Sequence, residues 1–265
     1  MRDYLDLEQF PIDRPDCDAY AALVSRCQRD LAAGGMFNLD GFLRVEHAQA
    51  EAVAHTPKKD SESFNHARDH NVYFLKSVPG LADDHPALQR FETSNNTLCS
   101  DQLQGSIVQQ IYDWPPLQAF IAQVMGKDVL YPMADPLAAF NVMRYQDGQA
   151  LNWHFDRSEF TVTLLLQAPK EGGVFEYRTD LRSADDPNYD GVAALLSGND
   201  PQMQQMNVAP GTLNVFRGVN TPHRVTPVVG DRARMIAVLT YYEQPGAMFT
   251  PTEQRGFYGR TADAK

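Results

Sequence analysis

The sequence has no long apolar run, and its first residues, MRDYLDLEQF, contain neither a basic segment nor an apolar one. A helix that crosses a membrane needs about 20 consecutive apolar residues, and a secretory leader pairs a basic segment with an apolar one. Because both patterns are missing, we expect a soluble, cytoplasmic protein that does not contact a membrane.

Cysteine is scarce. The three cysteines, at positions 17, 27 and 99, are odd in number and lack the spacing of a disulfide framework or a zinc site. They fit the reduced thiols of an intracellular protein.

Basic residues are too few for a nucleic-acid surface. The chain has 23 Lys and Arg against 34 Asp and Glu, which gives a formal net charge of -11. Phosphate backbones are bound by clustered Lys and Arg, and no such cluster occurs. We therefore expect no nucleic-acid partner, and leave homo-oligomerisation open.

The spacing of apolar residues and the residue types change near residue 137. Before it, apolar residues recur at helical spacing, and one helix is predicted over 45–54, ending before Pro57. After it, β-branched and aromatic runs such as FTVTLLLQ alternate with Gly, Asp and Pro, which is typical of an antiparallel sandwich or barrel. We predict one α+β domain: a mainly helical part with substrate-facing loops at 1–136, a β core at 137–243 and a C-terminal cap at 244–265.

The segment LNWHFDRSEF contains a candidate metal site. Residues two apart on a strand point to the same side, so His154 and Asp156 can offer a nitrogen and an oxygen to one ion. His-x-Asp alone is a weak pattern. A second imidazole, for which His223 is the best candidate, would complete the two-histidine, one-carboxylate face that suits non-haem Fe(II).

Two arginines follow His223 on the strand GDRARMIAVLTYY. Arg232 and Arg234 share a face by the two-residue period of a strand. An arginine that points into an apolar barrel needs an anionic partner, because an unpaired buried charge is costly. A dicarboxylate cosubstrate would supply one through bidentate hydrogen bonds.

The order His-x-Asp, long gap, His, Gly-x-Arg resembles the Fe(II)/2-oxoglutarate dioxygenases over 140–242. The resemblance implies a double-stranded β-helix, or jelly roll, with N-terminal helices packed against it. It implies iron held by His154, Asp156 and His223, with 2-oxoglutarate and O2 as cosubstrates. It also implies that Arg232 grips the distal carboxylate of 2-oxoglutarate, with Arg234 as a second contact or the true one.

A narrower likeness is carried by WHFD, FTVTLLLQ, GGVFEYR, NYDGV, PGTLNVFRG, HRVTPV and FYGR. These segments are similar to the radical halogenases of free amino acids, including lysine chlorinases, and to their hydroxylase relatives. In the halogenases Gly or Ala replaces the carboxylate ligand, whereas this chain has Asp156. The likeness therefore implies hydroxylation of an unactivated C–H bond of a free amino acid or close derivative, with 2-oxoglutarate converted to succinate.

Candidate substrate residues lie in FNHARDHNVYFLKSVPG, over 64–80. Arg68 is the first choice for the α-carboxylate of an amino acid, with His66 beside it, although a solvated surface loop explains both equally well. Where the lysine-acting relatives have an acidic residue after the carboxylate-ligand position, this chain has Arg157. That departure favours a neutral or anionic substrate side chain over lysine.

Two other functions stay open. The same chemistry could act on a peptide, a protein or a carrier-bound acyl group. A non-catalytic cupin-like binding protein is the alternative from another class, but the His-x-His pair and Glu typical of cupins are absent around His154.

Overall fold

The computed structural model describes residues 1–262, without the side chains of residues 57, 59 and 60. The helices are α1 (Asp18–Gly34), α2 (Val45–Ser61), α3 (Ile107–Tyr112), α4 (Pro115–Met125), α5 (Tyr189–Leu196) and α6 (Pro251–Tyr258). The strands are β1 (Met36–Leu39), β2 (Phe64–His70), β3 (Phe91–Leu98), β4 (Tyr131–Pro132), β5 (Phe140–Tyr145), β6 (Leu151–His154), β7 (Thr161–Gln167), β8 (Glu171–Gly172), β9 (Phe175–Tyr177), β10 (Gln204–Met206), β11 (Leu213–Phe216), β12 (His223–Val225), β13 (Val228–Val229), β14 (Arg234–Leu239) and β15 (Tyr241–Tyr242).

Two antiparallel sheets form the centre of the molecule. The major sheet has the order β1-β11-β7-β14-β5-β3-β2, and the minor sheet has the order β10-β9-β12-β6. From β5 onward the chain passes back and forth between the sheets, so β5, β14, β7 and β11 face β6, β12, β9 and β10. This is the strand order of a jelly roll, as predicted.

Alternate residues of β7 face opposite sides of the major sheet: one set packs against the helices, and the other faces the minor sheet. Val162, Leu164 and Leu166 pack in the large core with α1, α3 and α4. Thr161 and Thr163, on the opposite face, line a cavity between the two sheets. The helices thus cover one face of the major sheet and leave the other face for a site.

The N-terminal part contributes more strand than the sequence indicated. β1, β2 and β3 all belong to the major sheet, so the predicted division between a helical 1–136 and a β core at 137–243 is not a structural boundary. The strands β2, FNHARDH, and β3, FETSNNTL, are polar because their inward residues face the cavity instead of an apolar core.

The ends of the helices follow known capping chemistry, with one wrong prediction. α4 begins with Pro115 and ends at Gly126, whose φ of 67° is in the left-handed region that glycine tolerates. α6 begins with a capping box between Thr250 and Glu253. The helix predicted to end before Pro57 continues to Ser61, although a proline inside a helix removes one backbone hydrogen bond.

Among the described helices, none combines the length and the apolar character that a bilayer crossing requires.

Candidate metal centre and active site

The pairing of β6 with β12 brings two histidines together. His154 is the last residue of β6 and lies directly opposite His223, the first residue of β12. The centroids of the two imidazole rings are 4.1 Å apart. A register shift between His223 and Val225 follows immediately, as is common where a sheet turns a side chain toward a site.

Hydrogen bonds fix which nitrogen of each ring faces the site. Nδ1 of His154 lies 2.8 Å from the carbonyl oxygen of Asn152, and Nδ1 of His223 lies 3.0 Å from that of Thr221. A carbonyl can only accept, so each Nδ1 carries the proton and each Nε2 keeps a free lone pair. These two lone pairs are available to a metal ion.

Asp156 supplies the third donor. Its Oδ1 lies 3.4 Å from Nε2 of His154 and 3.6 Å from Nε2 of His223. Donor atoms of the three residues all lie within 4.8 Å of one another. The structure therefore brings His154, Asp156 and His223 together at one point.

The other side of the Asp156 carboxylate is enclosed. The Thr161 hydroxyl donates to Oδ2 at 2.7 Å, and the Asp156 N–H donates to the Gly218 carbonyl at 3.0 Å. A Cβ on Gly218 would overlap Oδ2 far inside van der Waals contact. Thr161 and Gly218 thus leave Oδ1 as the oxygen that faces the histidines.

The electrostatics of the three groups suit a divalent ion. Burial works to raise the pKa of the Asp156 carboxyl, but His223, His154 and the Thr161 hydrogen bond together hold that pKa well below its usual range. Burial and the neighbouring His154 lower the pKa of His223 to about 4, so its ring is neutral at physiological pH. An ionised carboxylate and neutral imidazoles are the protonation states that metals bind.

The donor set fits a first-row transition metal. With metal–ligand bonds of about 2.1 Å, as in zinc sites, two donors at right angles stand about 3 Å apart. The observed separations of 3.4 and 3.6 Å need only small side-chain movements to reach that value. Two imidazoles and one carboxylate on one face is the arrangement that non-haem Fe(II) uses while keeping positions open.

A cavity of about 380 Å³ between the two sheets contains the three donors. Arg234 lines it and is buried, with 4% of its surface exposed. Burial lowers the pKa of Arg234 to about 10, while Tyr145, its cross-strand partner, works in the opposite direction. Among the described residues no carboxylate lies within ion-pair distance of Arg234. An unpaired cation of this kind is costly unless an anion occupies the cavity.

Arg232 does not contribute to the cavity. It precedes the first residue of β14, and its side chain is exposed instead of pointing between the sheets. The sequence favoured Arg232 as the contact to the cosubstrate carboxylate, with Arg234 as a second contact or the true one. That preference is corrected, because of these two arginines only Arg234 lines the cavity.

The three predicted substrate residues lie at the mouth of the cavity. His66 stacks on Phe257 of α6 with ring centroids 6.4 Å apart, and Arg68 is exposed with its guanidinium 4.7 Å above the ring of Phe74. Arg157 is also exposed and forms an ion pair of 2.9 Å with Glu253. All three side chains line the cavity, and the first part of the polar segment at 64–80 is the strand β2 instead of a loop.

Several residues that line or support the site were not identified from the sequence. His70 is buried, and its Nε2 lies 2.8 Å from the Thr93 hydroxyl. Phe74 has a φ of 57°, which is unusual for a residue other than glycine. Gly218 reads as an ordinary turn glycine in FRGVN. The one available signal was the period-two recurrence of His66, Arg68 and His70, which places three polar side chains on one strand face.

A family model described as "HalD: Halogenase D" matches residues 93–249, which is more than half of the chain. The chain belongs to the Halogenase D family. The matched range includes both sheets from β3 onward, the three candidate metal donors and Arg234. No curated protein gives a significant match to the sequence.

Solved structures share the fold of this Halogenase D family member at low sequence identity. AviO1 from Streptomyces viridochromogenes Tue57 has a TM-score of 0.56 and 15% identity, covering 86% of this chain and 97% of its own. A 2OG-Fe(II) oxygenase family oxidoreductase from Burkholderia pseudomallei has a TM-score of 0.51 and 14% identity, covering 84% and 92%. The epimerase SnoN in complex with Fe3+, alpha ketoglutarate and nogalamycin RO has a TM-score of 0.52 and 15% identity, covering 83% and 84%. These likenesses establish the fold and confirm the predicted α+β jelly-roll class.

Proposed function

We propose that this protein is an Fe(II)- and 2-oxoglutarate-dependent dioxygenase that hydroxylates a C–H bond of a free amino acid or close derivative. The observation that carries the proposal is the convergence of His154 Nε2, Asp156 Oδ1 and His223 Nε2 in the same cavity as a buried, unpaired Arg234. The SnoN complex named above contains iron and the same oxo-acid on a similar fold, which supports this choice of cofactor and cosubstrate.

The three donors would hold the iron, and Arg234 would bind the distal carboxylate of 2-oxoglutarate. Iron and 2-oxoglutarate, when bound, would supply the oxidising chemistry: O2 is consumed, 2-oxoglutarate becomes succinate and CO2, and one oxygen atom is inserted into a C–H bond of the substrate. The protein fixes the tautomers of both histidines through the Asn152 and Thr221 carbonyls. It also neutralises the far end of the cosubstrate and excludes water with the apolar lining of the cavity.

Asp156 favours hydroxylation over halogenation. A chloride ligand would need the coordination position that this carboxylate offers, and Thr161 and Gly218 hold the carboxylate in place. We expect the unaltered protein to give a product one oxygen atom heavier, with no halogenated product in chloride or bromide buffers. Product mass spectrometry of parallel reactions with Asp156→Gly tests this: the variant should lose hydroxylation, and it becomes able to bind a halide. Full hydroxylation by Asp156→Gly would show that Asp156 is not a ligand.

The first experiment tests the cofactors alone. Under anaerobic conditions, Fe(II) and 2-oxoglutarate together should produce a visible charge-transfer absorption band. Arg234→Met should require at least about tenfold more 2-oxoglutarate to reach half of that band, because it removes a charge-assisted bidentate contact. Arg232→Met, an exposed arginine on the same segment, is the matched control and should titrate like the unaltered chain. A non-catalytic binding protein would give no band.

Succinate release across a panel of amino acids, followed by product mass spectrometry, tests the substrate. Substrate-dependent succinate and a gain of one oxygen on an amino acid support the proposal. A charge-transfer band without oxygen gain on any free amino acid or simple derivative favours the same chemistry on a peptide, protein or carrier-bound substrate.

A further inference from the structure

The turn that follows β2 has a strained backbone held by one buried side chain. Phe74 has a φ of 57°, a left-handed conformation that is unfavourable for a residue with a Cβ. Asn71, only 3% exposed, compensates with three hydrogen bonds. Its Oδ1 accepts from the N–H groups of Tyr73 at 3.2 Å and Leu75 at 3.1 Å, and its Nδ2 donates to the Leu75 carbonyl at 2.7 Å.

This turn is attached to the metal-site strand. The N–H of Phe155, the residue after His154, donates to the Val72 carbonyl at 3.2 Å. The strained conformation places the Phe74 ring parallel to His70 at 4.5 Å and edge-on to His154 at 6.2 Å. The turn therefore sets Phe74 beside a candidate iron ligand.

Phe74 serves as a platform for Arg68. The Arg68 guanidinium lies 4.7 Å above the Phe74 ring, and both side chains line the mouth of the cavity. Stacking on an aromatic face orients a guanidinium while leaving its N–H groups free to bind an anion. Among the described residues, no carboxylate or hydrogen-bond acceptor is paired with Arg68.

The charges that line the cavity are unbalanced. Asp156 is the one carboxylate of the main cavity within the described residues, and it faces the two histidines. A groove of about 240 Å³ that adjoins the mouth contains Glu253, which is already paired with Arg157 at 2.9 Å and with the N-terminus of α6. A substrate with a free carboxylate would find Arg68, whereas a substrate with a second ammonium group would find no free counter-charge.

We propose, on the basis of the function proposed above, that the substrate is a small carboxylate of net charge −1 whose carboxylate binds Arg68. Two kinds of molecule share this chemistry: an amino acid with an acidic side chain, and an amino acid whose amine is acylated. Arg68 would touch the substrate. Phe74 and Asn71 are positioning residues that hold the guanidinium near the metal-site strand.

Isothermal titration calorimetry of the anaerobic full chain with Fe(II) and 2-oxoglutarate tests the proposal without turnover. Four ligands share a five-carbon chain and differ in charge: glutamate and N-acetylnorvaline (both −1), norvaline (0) and ornithine (+1). At least one monoanion should bind about tenfold or more tighter than ornithine, with norvaline between them. Glutamate ahead of N-acetylnorvaline identifies an acidic side chain, and the reverse order identifies an acylated amine.

Variants of Arg68 separate its charge from its bulk. Arg68→Gln should abolish the preference for the monoanion, and Arg68→Glu should reverse the order of glutamate and ornithine. Arg90→Gln is the matched control, because Arg90 is an exposed arginine near the end of β2 that pairs with Asp69 at 2.7 Å outside the cavity. The control should keep the order of the unaltered chain.

Three results would overturn the proposal: ornithine binding as tightly as the monoanions, an unchanged order in Arg68→Glu, or no binding by any of the four ligands. Each is distinguishable from failure of the proposed function, because the charge-transfer band of Fe(II) and 2-oxoglutarate would still form. Loss of that band in the unaltered chain would instead remove the oxygenase assignment itself.

Discussion

At the scale of single residues, the proposed hydroxylation depends on Asp156 and on the residues that contact it. Its carboxylate takes one hydrogen bond from Thr161 through Oδ2, and the backbone of Gly218 lies against the same oxygen. Outer contacts of this kind orient a metal ligand, and losing one commonly costs about 10- to 100-fold in metal affinity. Position 218 therefore requires glycine, because any Cβ there would overlap the Asp156 carboxylate, although Gly218 itself offers no side-chain donor to a metal ion.

The first prediction concerns Gly218→Ala. The new Cβ would overlap Asp156 Oδ2, so the carboxylate must leave the position from which Oδ1 faces the histidines. We expect the affinity for Fe(II) or Co(II), measured by anaerobic equilibrium dialysis, to fall about 10- to 100-fold. Gly34→Ala is the control, because a Cβ at position 34 meets no heavy atom within 4 Å. Equal metal affinity in the two variants would mean that Asp156 does not bind the ion.

At the scale of elements, two polar strands line one side of the cavity. His66, Arg68 and His70 on β2 alternate with outward residues, and Thr93, Asn95 and Thr97 on β3 do the same. Arg68 lies opposite Thr93 in the register of the two strands, so both rows face inward together. The turn at 71–75 connects this pair of strands to the end of β6, where the candidate metal donor His154 lies, through the hydrogen bond from Phe155 to Val72.

The second prediction concerns that turn. Asn71→Ala removes three partly buried hydrogen bonds and leaves backbone groups of Tyr73 and Leu75 without these partners, which should lower the free energy of unfolding by about 1–3 kcal/mol. Urea denaturation measures the loss, and amide hydrogen exchange should show faster exchange at 71–75. Asn65→Ala, an exposed position on β2, should change neither quantity.

The same variant separates a positioning role from a purely structural one. If Asn71 positions Arg68 through Phe74, KM for the substrate should rise while kcat changes less, because the metal donors remain in place. A variant that unfolds more easily but keeps the KM of the unaltered chain would contradict the positioning role.

At the scale of the whole molecule, the jelly roll was predictable and the lining of its cavity was not. The alternation of β7 and the apolar run of β14 are both recognisable as strands in the sequence, and the spacing of His154, Asp156 and His223 is recognisable as a metal-binding pattern. The inward residues of β2 and β3 are polar because they line a cavity, so these strands lack the apolar period on which strand prediction depends. The sequence also could not choose between Arg232 and Arg234, because the point at which β14 begins decides which one enters the barrel.

The cavity makes the stability of the metal-free protein depend on pH. Burial lowers the pKa of His223 to about 4, and burial is also the largest cause of the lowered pKa of His70. The unfolded chain takes up protons on these rings near pH 6.5, but the folded chain does not until the pH is lower. Stability is therefore fully present above about pH 6.5 and falls as the pH drops toward 4, with His223 contributing up to about 3 kcal/mol.

The third prediction follows from this loss of stability at lower pH. In EDTA, the urea midpoint should be lower at pH 5 than at pH 7.5, and His223→Gln should lose less stability over that interval than the unaltered chain does. His47→Gln, which alters a ring packed against Tyr4 away from the cavity, should keep the full dependence. In parallel samples without EDTA, added Fe(II) should raise the midpoint more at pH 7.5 than at pH 5, because protons compete with the ion for the same nitrogens. A midpoint that is independent of pH, or a metal effect that grows at lower pH, would mean that the imidazoles are not held neutral by the fold.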